Sequence, residues 1–189
     1  MYALYLFISN FIERLGLTTR YLSLFLVLCT ALVVLLRYAF NYSSIALQEI
    51  MTYLHVSLFM FGAAYTLKHD GHVRVDVFYQ HMSATKKQWV NILGTVFLLF
   101  PTCLFVLIIC IPYVSSSWAI NEHSIESSGL PWLFLLKSLL LVQPVLLMVQ
   151  GVAEILRNVL LLKGDPRILA RMAKDTNSDP QSNNHGEGV

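Results

Sequence analysis

Four long apolar blocks constrain the fold of this 189-residue chain more than any other feature. They cover residues 19–40, 45–67, 89–113 and 130–162. A helix of about 20 residues crosses the hydrocarbon core of a bilayer, and each block is at least that long. The blocks are rich in leucine and far too long for strands, while only 13% of the chain is charged. The sequence therefore predicts an all-α integral membrane protein with four transmembrane helices.

Two flanking segments complete the predicted fold. Residues 1–18 begin with an apolar run that Glu13 and Arg14 interrupt before it is long enough to span a membrane. No Lys or Arg precedes this run and no small-residue cleavage site follows it, so we expect an interfacial N-terminal helix rather than a secretory signal. In residues 72–82 valines alternate with charged side chains, which predicts an amphipathic helix on the cytoplasmic membrane surface.

Basic residues are distributed unevenly and predict the orientation of the chain. The segment 114–129, between the third and fourth blocks, has no Lys or Arg but carries Glu122 and Glu126. Loops rich in Lys and Arg stay cytoplasmic, so both termini and the middle loop should be inside. Residues 19–162 then form the transmembrane domain, and the polar residues 163–189 form a largely disordered cytoplasmic tail. The basic residues outside the blocks are Arg14, Lys68, Arg74, Lys86, Lys87, Lys163, Arg167, Arg171 and Lys174.

Charged residues near the outer ends of the blocks need partners or access to water. Arg37 lies near the end of the first block and Glu49 lies near the start of the second, and the short loop 41–44 joins the two blocks. We therefore consider an Arg37–Glu49 ion pair, with separate snorkelling of both side chains to the outer interface as an equal alternative. Lys137, near the outer end of the fourth block, is expected to snorkel.

Polar residues also form a stripe on each of two predicted helices, at a spacing of about 100° per residue. Such stripes mark where helices meet protein rather than lipid, or else they line a substrate path. We favour packing, because a path usually needs more converging charge at mid-membrane. The second block contributes Gln48, Thr52, His55, Gly62 and Thr66, and the fourth contributes Gln143, Gln150, Glu154 and Arg157.

No pattern in the sequence predicts catalysis, a cofactor or a metal site. A membrane haem needs paired axial ligands, and His55 is the single histidine within the four blocks. His69, His72 and His81 lie in the loop after the second block, where no cysteine or further set of converging ligands is predicted, so solvated loop histidines are the favoured interpretation. The three cysteines lie inside blocks without metal-type spacing, and the net charge of +2 gives no indication of nucleic acid. We expect neither an enzyme nor a nucleic-acid-binding protein.

Six short segments lie in order over about residues 20–157: Arg37–Asn41, Gln48–Glu49, Gly62–Tyr65, Gly71–Asp76, Ser128–Trp132 and Gln150–Glu154. Together, with matching spacing, they resemble the small membrane (DctQ-type) subunit of TRAP transporters. These are tripartite ATP-independent periplasmic carriers of bacteria. One departure lies at the start of the second block, where many members carry Trp and two acids and this chain has Leu47, Gln48 and Glu49.

The resemblance implies a non-catalytic permease subunit in the bacterial inner membrane. A large permease subunit would carry an organic solute, such as an organic acid, with sodium, and a periplasmic solute-binding protein would deliver that solute. The small subunit would brace the large one, contact membrane lipids and help dock the binding protein, with Glu122 and Glu126 as candidate docking residues. The candidate structural or partner-contact residues are Arg37, Glu49, Gly62, Gly71, His72, Arg74, Asp76, Gln150 and Glu154.

Two other functions remain open at this point. A haem-binding electron-transfer subunit also has four membrane helices, although only one histidine lies in the predicted spans. A self-sufficient small transporter is the other alternative. No internal repeat is visible in the sequence, which argues against a carrier built from two inverted halves.

Overall fold

The computed structural model describes residues 1–69, 71 and 82–171. Within them, four helices are long and apolar enough to cross a membrane, and no strand occurs. The prediction of an all-α membrane protein with four transmembrane helices is therefore confirmed. The helices are α1 (Tyr2–Phe40), α2 (Ile45–Lys68), α3 (Ala84–Ala119) and α4 (Leu133–Leu162). The predicted amphipathic helix at 72–82 lies outside the described residues except for its last position, as does most of the tail.

The first helix differs from the sequence prediction. α1 is continuous over 39 residues, which corresponds to about 58 Å at 1.5 Å per residue. The helix has no break at residue 18, where the sequence prediction placed the boundary between an interfacial helix and the first span, and the interfacial position of residues 1–18 stays a prediction. Polar residues interrupt the apolar run near residues 13–19, but the helix continues through them. Glu13 forms an ion pair with Lys68 of α2, and the Thr19 hydroxyl donates to the Leu15 carbonyl at 2.7 Å.

α1 and α2 form an antiparallel hairpin with a short connection. α1 ends at Asn41, whose φ of 49° lies in the left-handed region that asparagine tolerates. Ser44 caps α2, since its hydroxyl accepts a hydrogen bond from the Leu47 N–H at 3.4 Å. The two helices approach closely at Gly16, where an added Cβ would lie 2.0 Å from a ring carbon of Tyr65.

α3 begins five residues before the predicted span and contains a π-helical turn. The turn covers Thr95–Leu99, and Pro101 follows it closely. A proline inside a helix lacks an N–H and crowds the carbonyl four residues earlier, and a wider turn relieves both problems. Thr95 also donates its hydroxyl to the Asn91 carbonyl at 2.8 Å. The sequence identified the proline but not this local change in helix type.

The core lies in one half of the bundle, where three helices meet. The N-terminal half of α1, the C-terminal half of α2 and the middle of α4 enclose it. The outer half of α1 is different, because large apolar side chains such as Phe25 and Leu28 are exposed there. The buried residues of the core cluster are Ile8, Ile12, Ala64, Leu146 and Ala153.

Candidate functional site

Glu49 ties the connection between α3 and α4 to the first turns of α2. The Ser124 hydroxyl donates a hydrogen bond to one carboxylate oxygen of Glu49. The Leu130 N–H donates to the other oxygen at 2.5 Å. The Ser124 N–H also donates to the Leu130 carbonyl at 3.1 Å, which closes the loop upon itself. We call Glu49, Ser124 and Leu130 the outer tie, after the side of the membrane that the sequence predicts for this loop.

Gly129 is required by the outer tie. An added Cβ at Gly129 would lie 2.7 Å from a Glu49 carboxylate oxygen and 2.3 Å from the Ser124 hydroxyl oxygen. Real Cβ atoms essentially never approach other atoms so closely, so any larger residue would push the loop off the carboxylate. This contact explains why a glycine precedes Leu130 in the segment Ser128–Trp132.

The proposed Arg37–Glu49 ion pair is wrong. The Glu49 carboxylate is directed at the outer loop and is occupied by Ser124 and Leu130. Arg37 is exposed in the last turn of α1, where a positive charge is favourable at the negative end of the helix dipole. The alternative, in which both side chains snorkel separately, does not describe Glu49 either, since the loop between α3 and α4 binds its carboxylate.

The acidic residues of the outer loop are not equivalent. Glu122 forms an ion pair with Lys137 of α4, and the Lys137 Nζ lies 4.3 Å from the centroid of the Tyr113 ring. Snorkelling of Lys137 is therefore a wrong prediction, since its side chain is only 15% exposed. The hydrogen bond from Lys137 lowers the pKa of Glu122. Glu126 is exposed, and its N–H donates to the Ser124 hydroxyl at 3.2 Å.

A second set of ionic contacts joins α1 to α2 at the opposite end of the bundle. The Glu13 carboxylate accepts a hydrogen bond from Lys68 Nζ at 2.5 Å and lies 3.0 Å from His69 Nε2. Lys68 also donates to the Ser9 carbonyl at 2.8 Å. We call Glu13, Lys68 and His69 the inner tie. Sequence reasoning missed it, although an acid in one helix and a base in its antiparallel neighbour were a usable signal.

The polar stripe of α4 is buried within this chain. Gln150 is 3% exposed and Glu154 is 8% exposed. Asn158 donates to the Glu154 carbonyl at 2.8 Å and to its carboxylate at 3.0 Å, and Arg157 lies 3.3 Å from the same carboxylate. The Gln150 side-chain oxygen has no partner among the described residues. Gln150 and Glu154 therefore pack against protein, as the sequence favoured. Asn158 also belongs to this stripe, although the sequence did not identify it.

A groove of about 590 Å³ opens between α2, α3 and α4. Its lining is mostly apolar, with Glu154 as its single charged residue among the lining residues described. Gly151 keeps α4 close to the π-helical turn, since an added Cβ would lie 2.8 Å from both Leu99 and Phe100. Lining residues of the groove include Leu67, Leu98, Leu99, Cys103, Leu147 and Glu154.

The polar stripe of α2 has the opposite placement. Gln48, Thr52 and His55 are all exposed. An added Cβ at Gly62 would meet nothing within 4 Å. Thr66 satisfies its hydroxyl internally by donating to the Gly62 carbonyl at 3.0 Å. This stripe therefore faces away from the other described helices of the chain.

The remaining predicted residues are only partly described. Gly71 follows α2 and donates its N–H to the Thr66 carbonyl at 2.9 Å. His72, Arg74 and Asp76 lie outside the described residues, so their predicted role stays a prediction. Among residues 1–69, 71 and 82–171, no group of three or more His, Cys, Asp or Glu side chains is placed to hold a metal ion.

Comparison with protein families gives one match over most of the chain. Residues 7–161 match the family described as tripartite ATP-independent periplasmic transporters, DctQ component. No curated protein and no solved structure matches the chain. The family match extends from the first turns of α1 to the last turn of α4. The chain therefore belongs to the DctQ family, the small permease component of TRAP transporters.

Proposed function

We propose that this chain is a non-catalytic subunit that braces the large permease subunit and helps dock a periplasmic solute-binding protein. The transported solute is an organic compound, such as an organic acid, taken up with sodium across the bacterial inner membrane. The family supports the transporter component, because DctQ proteins are parts of a three-part carrier. Both termini lie in the cytoplasm in this proposal, as the distribution of basic residues favours.

The outer tie is the observation that best supports a bracing and docking role. A carboxylate that accepts two hydrogen bonds holds its donors in a fixed geometry. Glu49 thereby fixes the loop between α3 and α4 on the end of α2. A loop held in this way presents the exposed Glu126 on a defined surface. A preorganised surface loses less conformational entropy when a partner binds.

The buried polar residues of α4 also support a static subunit. Glu154 is occupied by Asn158 and Arg157, both of the same helix. A substrate path needs polar groups that are open to a passing solute, whereas these contacts use the carboxylate for packing. We therefore assign solute and sodium binding to the large subunit.

The test measures assembly and uptake in cells that lack the natural copy of this chain. We expect the wild-type chain to co-purify with the large subunit and to restore uptake. Glu49→Gln should lower uptake while the ranking of competing solutes stays the same, because Glu49 holds a docking surface and not a solute. Glu126→Gln changes the proposed docking surface itself without touching the tie to α2, so it should also lower uptake with an unchanged ranking of solutes. A changed solute ranking in Glu49→Gln would contradict the proposal.

A further inference from the structure

The exposed face of α2 carries a polar side chain that a lipid environment does not satisfy. His55 lies near the middle of the 24-residue helix and is exposed. Among the described residues its ring makes no hydrogen bond, and its one ring–ring contact is with Phe59, with the centroids 5.2 Å apart. Hydrocarbon offers no donor or acceptor for an imidazole, so a polar group from another protein must meet it.

Exposed threonines on α1 can be compared directly with His55 on α2. Thr18 donates its hydroxyl to the Arg14 carbonyl at 2.8 Å, and Thr30 donates to the Leu26 carbonyl at 2.7 Å. Their hydroxyls are satisfied within the helix, and exposed apolar residues such as Leu28 surround them. The exposed face of α1 therefore suits lipid, whereas an imidazole cannot be satisfied by its own helix backbone in this way.

The same face of α2 has room for another helix. Gly62 lies on the His55 face at helical spacing, and an added Cβ there would meet nothing within 4 Å. A glycine on an open helix face allows the backbone of a second helix to approach closely.

We propose that Gln48, Thr52, His55, Phe59 and Gly62 form the face of α2 on which a transmembrane helix of the large subunit packs. The partner helix brings a hydrogen-bonding group to the level of His55. This inference rests on the proposed function, because that function supplies a membrane partner, and it names the surface used.

Site-specific photocrosslinking tests the surface in the assembled complex. A photoreactive benzophenone amino acid replaces Phe59 on α2 or, as the matched control, Leu28 on α1. The antiparallel pairing of α1 and α2 places Leu28 at a depth similar to that of His55. We expect the probe at position 59 to form a covalent adduct with the large subunit and the probe at position 28 to react with lipid.

The outcomes separate this inference from the proposed function. Co-purification of the wild-type chain with the large subunit tests the function alone, and its absence would contradict that function. If the complex forms but position 59 reacts with lipid, or with a second copy of this chain, the assigned face is wrong. His55→Leu and Gly62→Leu should each lower the yield of co-purified large subunit several-fold, without lowering the melting temperature of the isolated chain. Unchanged yields would also overturn the inference.

Discussion

At the scale of single residues, the ends of the helices are held by carboxylates with assigned partners. Glu49 binds the outer loop, Glu122 binds Lys137, and Glu13 binds Lys68 and His69. The sequence indicated that Glu49 needs a partner but not which one. Arg37 was the nearest opposite charge along the chain, whereas the true donors come from a loop some 80 residues later. Such long-range pairings depend on how the helices pack, which local spacing does not encode.

Glu49→Gln should release the outer loop from α2. An amide can keep its oxygen on the N–H of Leu130, but it then turns an NH2 donor toward the Ser124 hydroxyl, and both contacts lose the charge of the carboxylate. Amide hydrogen exchange in residues 120–132 should become faster, while exchange in α4 stays unchanged. Glu126→Gln is the control, since the Glu126 side chain takes no part in the outer tie. Unchanged exchange in Glu49→Gln would contradict the assigned role.

The Glu122–Lys137 pair predicts a dependence of stability on pH. Lys137 holds the pKa of Glu122 below its ordinary value of 4.5. A depressed carboxyl pKa contributes stability above the ordinary value, and this contribution is lost as pH falls through the pKa of the folded state. Between pH 7 and 5, the wild-type chain should therefore melt at a higher temperature than Glu122→Gln. The difference should shrink below pH 4.5, and a constant difference down to pH 2 would contradict the pairing.

At the scale of helices, the sequence predicted the number and type of the transmembrane helices, but it did not predict their boundaries or their local distortions. Block length and composition predicted all four spans, because a bilayer imposes a minimum length on every helix that crosses it. The helix α1 continues through Glu13 because Lys68 of α2 compensates the charge of the Glu13 carboxylate. The π-helical turn at Thr95–Leu99 reflects contact with Gly151 as well as the nearby Pro101, and only the proline is visible in the sequence.

Two glycine-to-alanine substitutions should have opposite effects on the stability of the isolated chain. At Gly16 the added methyl group would overlap the Tyr65 ring, and overpacking of this kind costs about 1–3 kcal/mol. At Gly62 the space is open, so alanine should stabilise the helix by about 0.5–1 kcal/mol. Unfolding of the chain in mild detergent measures both. Destabilisation of equal size at both positions would contradict the close packing of α1 on α2.

At the scale of the whole molecule, two sides of the bundle have different chemistry. Between residues 24 and 36 the exposed face of α1 is apolar except for Thr30, whose hydroxyl bonds to its own helix, whereas the exposed face of α2 carries His55 without a hydrogen bond among the described residues. Ionic ties hold α1 and α2 together at one end and hold the outer loop at the other. Fixed ends and one polar side are what a membrane brace beside a larger subunit requires.

The central claim is that this chain supports transport without carrying the solute. Sodium-driven uptake in proteoliposomes tests it directly, with the large subunit, the binding protein and this chain each omitted in turn. We expect uptake only when all three components are present. Accumulation of solute by this chain and the binding protein, without the large subunit, would contradict the account.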